Sequence, residues 1–266
     1  MKKAMNQSKL ILILNGLSIL SLLFMVILLF IAGNVNRGLT AANENRFNLT
    51  YNANRFMNGS AYLTNEVRAY ASTGNQEHYD NYWNEVNNLK NRDIGVTAMQ
   101  EIGITASEQS MIDNMSSISN NLVPLEDEAM KNVQAGHMEE ALNYVYGTDY
   151  NTSIAQINSI KEQFLSALDA RTKAEVDSLS LRSTIIQAFI ILSVIVVAVL
   201  QMVINKKKKK RILTPIIRVK DQMGEISQGN LSASFSLESD TSEIGMLVES
   251  IHETKRELKK YIDDID

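Results

Sequence analysis

Two stretches of this chain carry no charge and are almost wholly apolar: residues 10–32, LILILNGLSILSLLFMVILLFIA, and residues 184–204, TIIQAFIILSVIVVAVLQMVI. As helices rising about 1.5 Å per residue, both are long enough to cross a hydrocarbon core of roughly 30 Å. Lipid offers no partners to backbone N–H and C=O groups, so each run must be helical, even though the second is rich in β-branched residues that favour strands in water. The first run exceeds the roughly 7–15 apolar residues of a signal-peptide core, and reads as an uncleaved anchor.

The flanks orient these spans. Lys2, Lys3 and Lys9 precede the first, and Lys206, Lys207, Lys208, Lys209, Lys210 and Arg211 follow the second. Lysine and arginine gather on the cytoplasmic side of a span. Both termini are therefore expected in the cytoplasm, with residues 1–9 as a tail, 10–32 and 184–204 as spans, 33–183 outside, and 205–266 inside. The six cations are expected to rest on anionic lipid headgroups, at about 1 kcal/mol per charge. A nucleic-acid patch is the competing reading of such a run. Its place directly after a span argues for membrane lipid and no nucleic acid.

Residues 33–183 carry eleven Lys and Arg against nineteen Asp and Glu, a net −8. Two prolines and twelve glycines in 266 residues favour long helices over sheet. With no cysteine, disulfides and cysteine-bound zinc are excluded. In the outer region Leu49, Ala53, Phe56, Ser60, Leu63, Val67 and Tyr70 alternate spacings of 4 and 3, a seam facing a partner helix. Gly74 stops this helix and Asn75 caps the next, a less regular helix over about 76–102. Met111, Met115, Ile118, Leu122, Leu125, Ala129 and Val133 mark a third, ending near Gly136 and kinked or split by Pro124. Ile157, Ile160, Phe164, Ala167, Ala174 and Leu181 line a fourth, which starts after Gly147 and runs into the second span. The pattern predicts an all-α chain whose outer region is an antiparallel four-helix bundle on two transmembrane helices.

Arg68 and Thr148 both lie about 35 residues from a span, roughly 50 Å along a helix. The distal end therefore gathers Arg68, Tyr70, Tyr79, Tyr82, Trp83, Tyr144, Tyr146 and Tyr150. Aromatic faces with one cation suit a small amino or organic acid, which makes Arg68, Tyr70, Tyr146 and Tyr150 the candidate ligand site. The alternative is that these rings cap the apolar end of the bundle.

After the lysines, Ile216, Val219, Met223 and Ile226 step by 3, 4, 3, and Ile244, Leu247, Ile251, Thr254, Leu258, Tyr261 and Ile265 continue such a seam. Neither short helix is stable alone, so both need partners. Pro215 suits a first turn and Gly229 a helix end, with Leu231, Phe235 and Leu237 pinning the connector. This segment resembles the HAMP domain of bacterial transmembrane receptors through Pro215, Gly229, Leu231 and the run Glu243, Ile244, Gly245 and Leu247. Where the family often has Asp-Glu-Ile-Gly, this chain has Ser242 before Glu243. The resemblance implies a homodimer whose paired HAMP helices form a parallel coiled-coil bundle, with Ile251 among the relay positions. It also implies the plasma membrane of a bacterium.

The outer region resembles the four-helix-bundle sensor of methyl-accepting chemotaxis proteins, through LTNEVRAYASTG at 63–74 and GHMEEA at 136–141. Those receptors continue into a cytoplasmic hairpin that binds kinase-coupling proteins, and the sequence reaches Asp266 where the hairpin would begin. The resemblance implies a chemoreceptor's sensory and relay half, or a shortened receptor that signals through another chain. A sensor histidine kinase, a cyclic-dinucleotide enzyme or a non-enzymatic membrane scaffold would share this input half.

No catalytic constellation stands out, and the chain is not expected to be an enzyme. His78, His137 and His252 are too scattered for a metal site, no phosphate loop or nucleophile elbow occurs, and no cofactor is implied. His252 and Glu253 faintly resemble a phosphoacceptor box but fall at a solvated HAMP position. The run Glu126, Asp127, Glu128 reads as a charged face, because neighbours on a helix point apart.

Overall fold

The computed structural model describes residues 7–231 and 242–263, so Lys2, Lys3, Phe235, Leu237 and Ile265 lie outside the described residues. Among those described there are helices and no strands. They are α1 (Gln7–Thr73), α2 (Gln76–Asn84), α3 (Asn91–Ile102), α4 (Ala106–Gln134), α5 (Met138–Tyr146), α6 (Thr148–Lys208), α7 (Thr214–Ser227) and α8 (Ser242–Asp263). Wider π turns occupy Glu85–Leu89 and Lys209–Leu213. The chain divides into a central unit, Asn34–Ser183, and a terminal unit of Met1–Gly33 with Thr184–Asp266.

In the central unit the α1 seam is buried as its spacing predicts: Leu49, Ala53, Phe56, Leu63, Val67 and Tyr70 are core residues, and Ser60 is half-buried. Two apolar clusters share it. One gathers Leu49, Ala53 and Phe56 with Met99 of α3, Ile112 and Met115 of α4, and Phe164 and Leu168 of α6. The other gathers Leu63, Val67 and Tyr70 with Tyr82 of α2, Leu122, Ala129 and Met130 of α4, Val145 of α5 and Tyr150 of α6. Chain direction follows from this order. α1 and α4 run from the first cluster to the second, and the segments α2–α3 and α6 run back.

The termini of these helices obey ordinary capping chemistry. Asn75 accepts from the Glu77 N–H at 3.1 Å, as its place after Gly74 predicts. Thr105 and Glu108 form a reciprocal capping box at the start of α4. Glu108 also accepts from Arg171 of α6, at 2.8 Å from Nε and 3.1 Å from Nη2. Burial alone would raise the Glu108 pKa, but the Arg171 and Thr105 hydrogen bonds outweigh it and hold the carboxyl below its ordinary range.

Three expectations are corrected. The single second helix is instead α2 and α3, separated by the π turn and by Lys90 at φ 48°. The buried Glu85 carboxylate takes the Asn91 N–H at 2.8 Å and so caps α3 from within the break. Of the two outcomes expected at Pro124, a kink or a split, the split does not occur: α4 runs through it, and the residue is exposed, so water can serve the carbonyl that loses its N–H partner. Ala174 and Leu181 leave the predicted α6 seam for solvent, Leu181 being 62% exposed. Arg171 already pairs with the first turn of α4, so among the described residues α6 has α1 alone beside it beyond that level, as in the 2.7 Å bond from Ser183 to Asn36.

In the terminal unit the two apolar runs lie within α1 and α6 and show their side chains outward, with Leu12 74%, Phe30 72% and Met202 72% exposed. Helices this apolar and this uncovered suit a membrane rather than water. Ser18 and Gln201 hydrogen-bond between them. α6 contains neither glycine nor proline from end to end, which accounts for its unbroken course.

Candidate functional site

Arg68 is the hub of the distal residues. Its guanidinium lies over the rings of Tyr146, at 4.8 Å, and Tyr150, at 5.1 Å. Nε donates to the Val145 carbonyl at 3.0 Å and Nη2 to Asn151 Oδ1 at 2.7 Å. These contacts fasten α1 to the corner between α5 and α6. Glycine is required at that corner, since a Cβ on Gly147 would strike the Asn143 carbonyl oxygen.

Tyr70 is not part of this set. It is buried at 3% exposure and faces Tyr79, with ring centres 5.4 Å apart. The ring series continues from Tyr79 to Trp83 and from Trp83 to Tyr82. The Trp83 Nε1 is buried without a hydrogen-bond partner among the described residues. Of the four predicted ligand residues, then, three meet at Arg68 and the fourth belongs to a neighbouring aromatic cluster. Tyr70 and Tyr150 are core residues, whereas Arg68 is half-buried and Tyr146 is 48% exposed.

Glu126 is the residue that sequence reasoning missed. It is 5% exposed, and its two oxygens accept from the hydroxyls of Tyr82 at 2.6 Å and Tyr150 at 2.7 Å. The reading of the Glu126, Asp127, Glu128 run as a charged face is therefore wrong for its first member. Two phenol donors from other helices replace the water it loses. Burial, with the adjacent Glu126 charge adding to it, pushes both phenols well above their ordinary value of 10.0. The tyrosines thus stay neutral donors. Leu122, Leu125 and Ala129 are apolar at helical spacing around position 126, a pattern that already placed it near the inward face.

In the terminal unit the helix continues past the lysines into α7. Lys206, Lys207, Lys209 and Lys210 are exposed, Lys208 is half-buried, and Arg211 lies in the π turn. Proline at 215 has no N–H to give to the preceding turn, and there the ladder widens: the Thr214 N–H reaches the Lys209 carbonyl. Pro215 occupies the first turn of α7, and Gly229 ends the helix at φ 84°, with the Asn230 N–H on the Glu225 carbonyl at 3.0 Å. Val219 and Ile251 are buried; Ile226, Leu231 and Gly245 are half-buried. Ile216, Met223 and Leu247 remain 44%, 43% and 43% exposed, and Glu243 and Ile244 open α8. No group of three metal-ligating side chains converges among the described residues.

Residues 209–260 match the HAMP domain family. No curated protein and no solved structure matches the chain. A HAMP domain directly following the second of two apolar helices long enough to cross a membrane makes the chain a transmembrane signal transducer.

Proposed function

We propose that this is a homodimeric receptor of the methyl-accepting chemotaxis type in a bacterial plasma membrane. Its central unit is an antiparallel four-helix-bundle sensor outside the cell, both termini are cytoplasmic, and the HAMP domain relays the sensed state to a cytoplasmic output. Kinase-coupling proteins are the partners if a signalling hairpin follows. The observation that carries the reading is α6. One helix without glycine or proline runs from Thr148, beside the Arg68 and Glu126 network, through the apolar stretch to Lys208. A displacement of such a helix is passed along its length rather than absorbed in a flexible joint.

The exposed apolar seams support the homodimer. Ile216, Met223 and Leu247 gain little cover within one chain, and a second HAMP copy would bury them at about 25 cal/mol per Å². On α1, Phe47 and Tyr51 stack at 6.4 Å while 68% and 59% exposed, an aromatic face suited to a second α1. Signalling then requires a ligand with unequal affinity for two arrangements of these helices, since contact alone shifts nothing.

The absence of cysteine permits a direct test. Asn36→Cys with Ser183→Cys replaces a bonded pair that joins α1 to α6. Residues 1–266 carrying this pair are fused to the signalling hairpin of a chemoreceptor, and kinase activity is measured in membranes. Oxidation should fix the output, and reduction should release it. An output indifferent to the cross-link, once its formation is verified, would refute relay through α6.

A further inference from the structure

The central unit carries a net charge of −8, yet one of its clefts has the opposite character. It holds about 190 Å³ among α1, α4 and α6, and Arg68 and Lys161 line it with no carboxylate. Ser60, Asn65, Ser119 and Asn158 add hydroxyl and amide groups, and their side chains make no hydrogen bond among the described residues. Lys161 is half-buried and pairs with no carboxylate among the described residues. Arg68 is held by a carbonyl, an amide oxygen and two rings, none of which neutralises its charge. One cation held in place and a second, half-buried one, with polar groups that lack partners among the described residues, describe a place for an anion.

The rest of the wall limits what that anion carries. Phe56, Met57, Met115, Ile154 and Ile157 supply an apolar surface continuous with the core. A cavity of about 150 Å³ accommodates benzene, so this cleft suits a body of that size plus one small polar group. A cationic ligand would meet Lys161 and Arg68 with like charge. A wholly apolar one would cover both without a counter-charge, at a desolvation cost. We infer that the cleft binds a small monocarboxylate with a compact apolar body, its carboxylate toward Lys161 and Arg68 and its ring or branched chain toward Met115 and Ile157. This inference rests on the reading of the central unit as the sensing part, and gives it a ligand class and a site. It also shifts the recognition surface from the aromatic rings to the cleft that shares Arg68 with them.

The probe is benzoate, titrated calorimetrically into the full chain in lipid nanodiscs, with benzyl alcohol and benzylamine as neutral and cationic counterparts. Benzoate should bind in the micromolar to millimolar range, benzyl alcohol about tenfold or more weakly, and benzylamine not at all. Lys161→Met should weaken benzoate by about tenfold, and Lys161→Arg should restore most of it. Because Lys161 bonds to no other side chain among the described residues, these variants should leave the fold intact, which Trp83 fluorescence verifies. No benzoate binding, equal binding of benzyl alcohol, or indifference to Lys161→Met would each overturn the proposal. Binding that requires Lys161 but leaves the kinase output of the fusion unchanged supports the site and removes the relay. A cross-link effect on output without benzoate binding removes the site and leaves the relay.

Discussion

Replacing Tyr82 or Tyr150 by phenylalanine removes a single atom from a buried ionic site, and the cost can be worked from the geometry. Each hydroxyl donates to Glu126, at 2.6 and 2.7 Å, and the acceptor is 5% exposed. A hydrogen bond to a charged group contributes about 1.5–3 kcal/mol, so each single substitution should lose about 2 kcal/mol. For a unit of about 150 residues this lowers the unfolding midpoint by about 4–8 °C. The double variant should lose less than the sum. The second substitution acts on a carboxylate already short of a donor, so the two effects are coupled rather than additive. Trp83 is the only tryptophan, with its ring 5.3 Å from that of Tyr82, so its fluorescence reports unfolding at this place. The assay is a denaturant titration of the full chain in detergent. A triple variant that adds Glu126→Leu leaves no orphaned charge and should recover much of the loss. A Tyr150→Phe midpoint within about 0.5 kcal/mol of the parent, or a triple variant no better than the double, would refute the reasoning.

Two further outcomes follow from close contacts elsewhere. A Cβ at Gly95 would lie 2.7 Å from the Asn52 carbonyl oxygen and 2.9 Å from the Phe56 nitrogen, both backbone atoms of α1. Gly95→Ala should therefore push α3 off α1 and cost about 1–3 kcal/mol by the same titration. Arg171→Ala strips the buried Glu108 of its cation and should cost about 3 kcal/mol. The folded Glu108 pKa is lowered, so its contribution is full above the unfolded value of 4.5 and is lost as pH falls below it. Protection factors against hydrogen exchange at the start of α4, with the intrinsic pH dependence of amide exchange divided out, should fall on acidification in the parent and much less so in Arg171→Ala.

Much of this molecule is written in periodicity. The 3-and-4 spacing along α1 named its buried face almost residue by residue, because one helix packed on both sides keeps a constant stripe. The stops at Gly74 and Gly229 were legible for a similar reason: each sits at positive φ, where a side chain is strained. What escaped detection depends on partners far away in sequence. The break at Lys90 has no proline or glycine to announce it, and is held by the buried Glu85 carboxylate on Asn91. Glu126 looked solvated beside Asp127 and Glu128, and only helices arriving from positions 82 and 150 supply its donors. Leu181 failed in the opposite sense. Its spacing was correct, but among the described residues no third helix reaches that level to cover it. The grouping of Arg68 with Tyr146 and Tyr150 was visible from chain length alone, since equal distances from the two spans bring those residues to one level. Tyr70 shared the level but not the face.

The proposed topology, with residues 33–183 outside the cell and the HAMP match at 209–260 in the cytoplasm, is the proposal on which the rest depends. The cysteine-free chain allows this to be read from single thiols. Glu139→Cys and Gln228→Cys replace exposed residues of the central unit and the HAMP domain respectively. A membrane-impermeant maleimide applied to intact cells should label the thiol at 139 and reach the one at 228 only after permeabilisation. Labelling of both thiols in intact cells, or of 228 alone, would contradict the account.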